Sequence, residues 1–518
     1  MTSVLAILLL ASEPAPATPE SELRSLAAKS TLPSLQRPNF SRYATSVRHF
    51  YEGRNYAPAW LDAGRPTPEA QALIAVLERA RSKGLDEPDY DATAWPARLQ
   101  SLASGGPAAL ADFDLALTIC LFRYSSDLEY GRAPDESERA GLRRLPPRFF
   151  LADWIATNLV HSLDAAAALS SLEPPYFAYR RTERALAEYQ RLAATLPKAG
   201  AQLPIPSKSI KPGDSWPALG RVADLLRALG DLANGIDAGA SVYAEPLVSA
   251  VTRFQTRHGL APDGIIGHET VAAMNVPMTR RLRQIELALE RWRWAPRTFT
   301  APPVVVNIPE FVLRAVGDDY QVGLRMKVVV GKAYGHRTPV FAREMTHIIF
   351  RPYWEVPDTI AYKELFPKLA KDPSYFVKNH YVTNHRGPTL VRQLPGPDNA
   401  LDGVKFVFPN EHDVYLHGTP ATELFAKTRR DFSHGCIRVE KPAELARWVL
   451  RHQPEWTPER IAEAMNRDTP LEVRLARPIP VLIVYGTAIV RESGEVRFFN
   501  DIYHLDTALD QALSTRRP

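Results

Sequence analysis

His417-Gly418-Thr419 and, further on, Ser433-His434-Gly435-Cys436-Ile437-Arg438-Val439 are the stretch on which the reading of this chain turns, with fifteen residues between His417 and Ser433. Cys436 is one of two cysteines in 518 residues, and it directly follows a glycine within folding reach of two histidines. A thiol attacks carbonyls only as thiolate, and a free cysteine near pKa 8.5 is mostly protonated at neutral pH. A neighbouring imidazole removes the proton and returns it to a leaving amine. His417 closes the apolar run Val414-Tyr415-Leu416, so it is expected at a strand end, and the intervening loop is long enough to fold back and bring it to Cys436. It is the candidate base. His434 lies two residues before Cys436 on a tight glycine-containing loop, where side chains need not converge, and it takes a supporting role. Gly435 lets the backbone pass close to a substrate, and the amides of Gly435 and Cys436 are candidate oxyanion donors. Ser433 is a candidate to orient the turn or contact substrate. Arg438 offers a forked donor for a substrate carboxylate. Gly418 is expected to orient His417 through its carbonyl, since no Asp or Asn is evidently placed for that role.

Working outward, β-branched runs bounded by Gly and Pro mark strands at Val304–Ile308 and Met326–Gly331. Further strands are expected at Thr346–Phe350, Val404–Phe408, Val414–His417, Leu471–Leu475 and Val481–Tyr485. So many strands with few helices between them predict a mostly-β domain over 301–518. Residues of about 355–400 form a long mixed insertion carrying Trp354, Tyr362, Phe366 and Tyr375 at or near its borders, long enough to act as a lid. Pro442 opens a helix whose Leu445, Trp448 and Val449 face inward and anchor the loop carrying Cys436.

The N-terminal half reads as helical. Leu73, Val76, Leu77 and Ala80 share one face, Phe113–Tyr130 is a longer buried helix ended by Gly131, and Arg180–Ala194 repeats the spacing. No constellation of catalytic groups is visible here, so 41–202 is a helical scaffold, preceded by a Pro/Ser-rich linker at 18–40. After a proline-rich break, Leu219, Val222, Leu226 and then Leu247, Val251, Phe254 mark two amphipathic helices. Phe254-Gln255 … Gly259-Leu260 … Asp263-Gly264-Ile265-Ile266-Gly267 follows and leads to Thr270, Val271 and Met274. Residues 203–280 thereby resemble the three-helix peptidoglycan-binding module of cell-wall enzymes, which implies a glycan-peptide groove beside Asp263–Gly267. A connecting helix over 281–300 carries Leu282, Ile285 and Leu289.

Composition narrows the classes. Hydrophobic content of 45% with 23% charged residues excludes wholesale disorder. A net charge of +5 is dispersed without a Lys/Arg block, which argues against nucleic acid as a partner. Val4–Ala11 followed by Ala15-Pro16-Ala17 has the form of an export signal over 1–17, too short to span a bilayer. Cys120 sits in an apolar helical segment as a small buried hydrophobe, although a Cys120–Cys436 bridge stays open in an oxidising compartment.

His417, Ser433-His434-Gly435-Cys436 and Arg438, with Val404-Lys405-Phe406 and Tyr415-Leu416-His417-Gly418-Thr419-Pro420 before them, resemble the L,D-transpeptidase catalytic domain. With its scaffold and wall-binding module, the whole chain resembles the large Gram-negative subtype. The resemblance implies a multi-domain α+β protein in which Cys436 attacks diaminopimelate of a peptidoglycan tetrapeptide stem and D-alanine leaves. The amine of a second stem then resolves the thioester to a 3→3 cross-link. It also implies a periplasmic location, possible association with cell-wall synthases, roles in cell shape, acylation by carbapenems, no cofactor or metal, and substrate contacts at Ser433, Arg438, Tyr415 and Trp354. Three alternatives stand beside it: an L,D-carboxypeptidase or hydrolase using water on the same site, a non-catalytic wall-binding protein, and a metal site on His412, His417 and His434.

Overall fold

The computed structural model describes residues 17–102, 105–133, 149–195, 202–235, 242–383 and 389–515. All but the last residue of the expected export signal lies outside the described residues. The chain divides into two compact units, one built from residues up to 132 with 149–174, the other running through 175–513.

The first unit is organised by α4 (Pro107–Tyr130), whose Leu115, Leu117, Ile119, Leu121 and Phe122 are all fully buried and point around the whole helix. A helix apolar on every side must be surrounded, and α1 (Pro19–Ala27), α2 (Ala44–Glu52), α3 (Pro68–Leu77) and α5 (Phe150–Asn158) supply that shell. Buried polar groups around Asp114 are paired. The Asp114 carboxylate accepts from the Tyr51 hydroxyl at 2.7 Å and the Trp60 amide at 2.8 Å, and the Trp60 indole donates to Thr118 at 2.8 Å. No described helix is long and apolar enough to cross a membrane.

The second unit opens with α6 (Phe177–Thr195), a segment that falls within the 41–202 scaffold by sequence but packs with the second unit. The reason is its apolar stripe. Leu186 and Tyr189 meet Ile285 and Leu289 of α10 (Met278–Arg293) and Phe498 of a C-terminal hairpin. Between them α7 (Leu219–Ala228), α8 (Leu247–Arg257) and α9 (His268–Met274) form a small bundle around Val222, Leu226, Val251, Phe254 and Val271. Gln255 ties the expected groove turn together: its side chain donates to the Ile265 carbonyl at 2.9 Å and accepts from the Gly264 amide at 2.9 Å. This glutamine is a structural tie within the module.

Nine strands of this unit form one sheet: β1 (Val304–Asn307), β2 (Val312–Val316), β3 (Val322–Gly331), β4 (Phe341–Phe350), β8 (Val404–Val407), β9 (Leu416–His417), β10 (Asp431–Ser433), β11 (Ile437–Val439) and β12 (Leu471–Val484). Their order is β10-β3-β11-β9-β8-β4-β12-β1-β2, and an additional β2–β3 pairing closes the sheet on itself. Inside lie Val306, Leu313, Val328, Ile348, Phe406, Leu416, Ile437 and Ile483, with α11 (Pro442–Val449) packed through Leu445 and Val449. The two strands expected at 471–475 and 481–485 are a single strand. Both halves pair with β4, and the register slips between Arg474 and Ile479, where Pro478 cannot donate a ladder bond. Inserted between β4 and β8 are β5 (Trp354–Val356), β6 (Tyr381–Thr383) and β7 (Val391–Gln393). They form a separate sheet with short helices over a core of Val356, Ile360, Leu365, Phe376 and Val391. The hairpin β13 (Ala488–Val490) and β14 (Val496–Phe498) follows β12.

Candidate active site

Strand register decides which side chains meet. Leu416 pairs with Ile437 in the parallel β9–β11 ladder and with Phe406 in the antiparallel β8–β9 ladder, and all three are fully buried. The next position in the same ladders aligns Lys405, His417 and Arg438 in one row. Alternation then puts Tyr415 and Cys436 on the face shared by that row, opposite the core. His417 and Cys436 are thus diagonal neighbours on adjacent strands.

His417 is 5% exposed, and its Nδ1 donates to the Gly418 carbonyl at 2.5 Å. That bond places the ring proton on Nδ1 and leaves Nε2 with the free lone pair, so Nε2 is the basic nitrogen. Burial, then the charge of Arg438 and, more weakly, of Lys405, holds the imidazole down at about 3, opposed only by the Gly418 carbonyl. Cys436 is a half-buried free thiol, with Sγ 3.6 Å from the Asp413 carbonyl. Burial pushes this thiol up, while hydrogen bonds from Tyr415 and the charge of Lys405 pull it down.

The turn carrying Cys436 is held from inside. Gly435 has φ +122°, a conformation that glycine adopts readily. Ser433 is 2% exposed; its hydroxyl donates to the Cys436 carbonyl at 2.5 Å and accepts from the Gly435 amide at 3.2 Å. Two expectations are corrected by these bonds. Ser433 is enclosed in the turn and is not available to substrate, and the Gly435 amide is engaged with Ser433 instead of pointing to an oxyanion. Among the described residues neither the Cys436 nor the His434 amide forms a hydrogen bond, so both are free donors of this turn. Thr338 braces the turn, donating to the Gly435 carbonyl at 2.7 Å and accepting from the Gly331 amide at 2.9 Å. The Tyr503 hydroxyl donates to the Gly331 carbonyl. Neither Thr338 nor Tyr503 carries a local signal; each reaches the turn from a distant segment.

The other expected residues fall around this face. The Tyr415 hydroxyl is held well above its usual range by burial first and by Cys436 next, with Trp354 opposing. His434 pairs through Nε2 with Glu364 of the insertion at 2.7 Å and packs edge-on to His336. A side chain on Gly418 would collide with the Asp402 carboxylate, its Cβ reaching 2.6 Å from Oδ2. Arg438 is half-buried with its Nε unpaired, a cation without a hydrogen-bond partner among the described residues. Lys405, quoted in the motif but given no role, belongs to the site. Its Nζ lies 3.8 Å from the Tyr415 ring centroid. The histidines of the metal alternative do not gather: His412 lies tilted against Phe341, His434 meets Glu364, and among the described residues no three His, Cys, Asp or Glu side chains could hold an ion. Both cysteines are free.

Residues 302–474 match the model of the L,D-transpeptidase catalytic domain, 219–274 that of a "Putative peptidoglycan binding domain", and 45–186 that of a scaffold domain. A Haemophilus influenzae protein named "Putative L,D-transpeptidase" is 30% identical over 227 residues, which cover 40% of this chain and 45% of the relative. The match thus spans less than half the length of that curated relative. A crystal structure of an L,D-transpeptidase from Stackebrandtia nassauensis aligns at 15% identity over 54% of this chain and 97% of that one, with a TM-score of 0.23, too low to inform the fold.

Proposed function

We propose that this chain, whose residues 302–474 match the model of the L,D-transpeptidase catalytic domain, cross-links peptidoglycan stems by acyl transfer through Cys436. The observation that carries this reading is the shared sheet face on which Cys436 lies diagonal to His417, with Nδ1 of the histidine tied back and Nε2 left as base. The Cys436 sulfur bonds to the carbonyl carbon of diaminopimelate in a tetrapeptide stem, and its proton passes to His417 Nε2. The bond to D-alanine breaks, and the proton leaves with the amine. The side-chain amine of a second stem then attacks the thioester, a new amide forms, the C–S bond breaks, and the proton returns to sulfur. The Cys436 amide supplies an oxyanion donor, a contact of a kind worth about 3 kcal/mol in the transition state. Arg438 receives a stem carboxylate. The wall-binding module keeps the catalytic domain on its polymer, and the work is done in the periplasm, after export.

Purified protein incubated with diaminopimelate-containing tetrapeptide stems is expected to release D-alanine and yield 3→3 dimers, and meropenem is expected to add its mass to Cys436. Cys436→Ala should lose both, and His417→Ala should lose acylation. Free tripeptide as the only product would replace the cross-linking reading with hydrolysis. Unchanged turnover in Cys436→Ala would end the thiol mechanism altogether.

A further inference from the structure

The row Lys405–His417–Arg438 contains two cations, and the proposed chemistry uses only Arg438. Lys405 stands in β8 directly opposite His417, half-buried, with its Nζ over the Tyr415 ring and no ion pair or hydrogen bond to its ammonium among the described residues. A buried ammonium without a counter-ion costs stability unless an anion is formed beside it. Of the nearby carboxylates, Glu355 of β5 is bound by Arg392, and Glu355 and Asp413 each favour the ammonium less than Cys436 does. Tyr415, whose ring carries the ammonium, shares its sheet face with Cys436.

We propose that Lys405 is the positioning residue for the Cys436 thiolate: its ammonium, held over Tyr415, supplies the counter-charge that the sulfur lacks when its proton moves to His417. The inference rests on the cysteine reading above and gives that site a second component besides the histidine. Arg438 is the other cation acting on the sulfur and, like Lys405, disfavours the His417 imidazolium. The groups acting on the sulfur are the cations Lys405 and Arg438, the anion Asp413 and the neutral Tyr415, with Glu355 acting on Lys405 and Glu423 on Arg438. Lys405 and Cys436 each favour the other's charged form.

The test needs no substrate. Alkylation of the full-length protein by iodoacetamide is followed against pH, with the modified peptide carrying Cys436 quantified by mass. Lys405→Met keeps the aliphatic stem and removes the charge. It is expected to move the thiol titration up by about one unit and to slow alkylation at pH 7 about tenfold, while Lys405→Arg stays within about threefold of the parent. If Lys405→Met does not fold, judged by circular dichroism, Lys405→Gln carries the same expectation. A Met or Gln variant that alkylates with the parent's pH profile overturns the proposal, and so does an Arg variant that behaves like Met. Failure of the function reading is distinguishable: Cys436 would then alkylate with this Lys405 dependence yet form no thioester with stems.

Discussion

At the scale of single residues, the site depends on charges opposing one another across 405, 417, 436 and 438. The sign for His417 is clear. Burial, then Arg438 and Lys405, disfavours its imidazolium, so the base form persists far below the ordinary histidine range, down to about 3. The kcat/KM profile for acylation is accordingly expected to show no acid limb between pH 6 and 7, and a stopped assay from pH 5 to 8 checks this. An apparent pKa near 6.5 would mean that the imidazole is not enclosed as described. Ser433 makes a second case. Ser433→Ala leaves the buried Gly435 amide without its acceptor, and losses of that kind cost about 1–3 kcal/mol. The expected result is a lower denaturation midpoint together with slower alkylation of Cys436, because the turn itself loosens.

At the scale of elements, the 355–400 insertion is a small folded body with its own core, joined to the cysteine turn by the Glu364–His434 pair. Both partners are partly exposed, with side-chain exposure of 42% for Glu364 and 26% for His434. A pair of this exposure is worth well under about 1 kcal/mol. Glu364→Gln is therefore expected to raise KM for the donor stem by no more than about fivefold while leaving iodoacetamide reactivity unchanged. Steady-state kinetics beside alkylation rates separates the two. An equal fall in both would show that Glu364 supports the turn itself and not only the insertion's closure.

At the scale of the molecule, the second unit joins the helical module to the catalytic sheet through the hairpin β13–β14. His258 stacks between Phe254 and Phe498, and Arg257 binds Asp231 and donates to the Val496 carbonyl at 3.2 Å. Burial, then Arg281 and Arg257, lowers the His258 pKa well below 6.5. The unfolded chain takes up a proton near pH 6.5 that the folded chain refuses, so the stabilisation from neutral His258 is complete above that value. It is lost progressively as pH falls below it, at up to about 1.4 kcal/mol per unit. His258→Phe retains the stacking and removes the proton site. Its stability measured by denaturant between pH 7 and 5 is expected to decline less steeply than that of the parent, and equal slopes would count against this account.

The meeting of the His417 and Cys436 segments on adjacent strands, the helical first half and the mostly-β second half were legible in the sequence, because each rests on local spacing: alternation in strands, a loop long enough to fold back, apolar positions every three or four residues in helices. The Gly418 carbonyl as the partner of His417 was legible too, since a residue's neighbour is never far from it. What required tertiary structure is everything set by register between segments far apart in the chain. That includes Lys405 opposite His417, Thr338 under the Gly435 carbonyl, and helix 177–195 packing beside 278–293 instead of with the scaffold. Ser433 and the Gly435 amide looked available to a substrate because spacing alone does not say where a hydrogen bond goes. Only the folded turn closes them on each other, since buried polar groups pair with whatever the fold brings within reach.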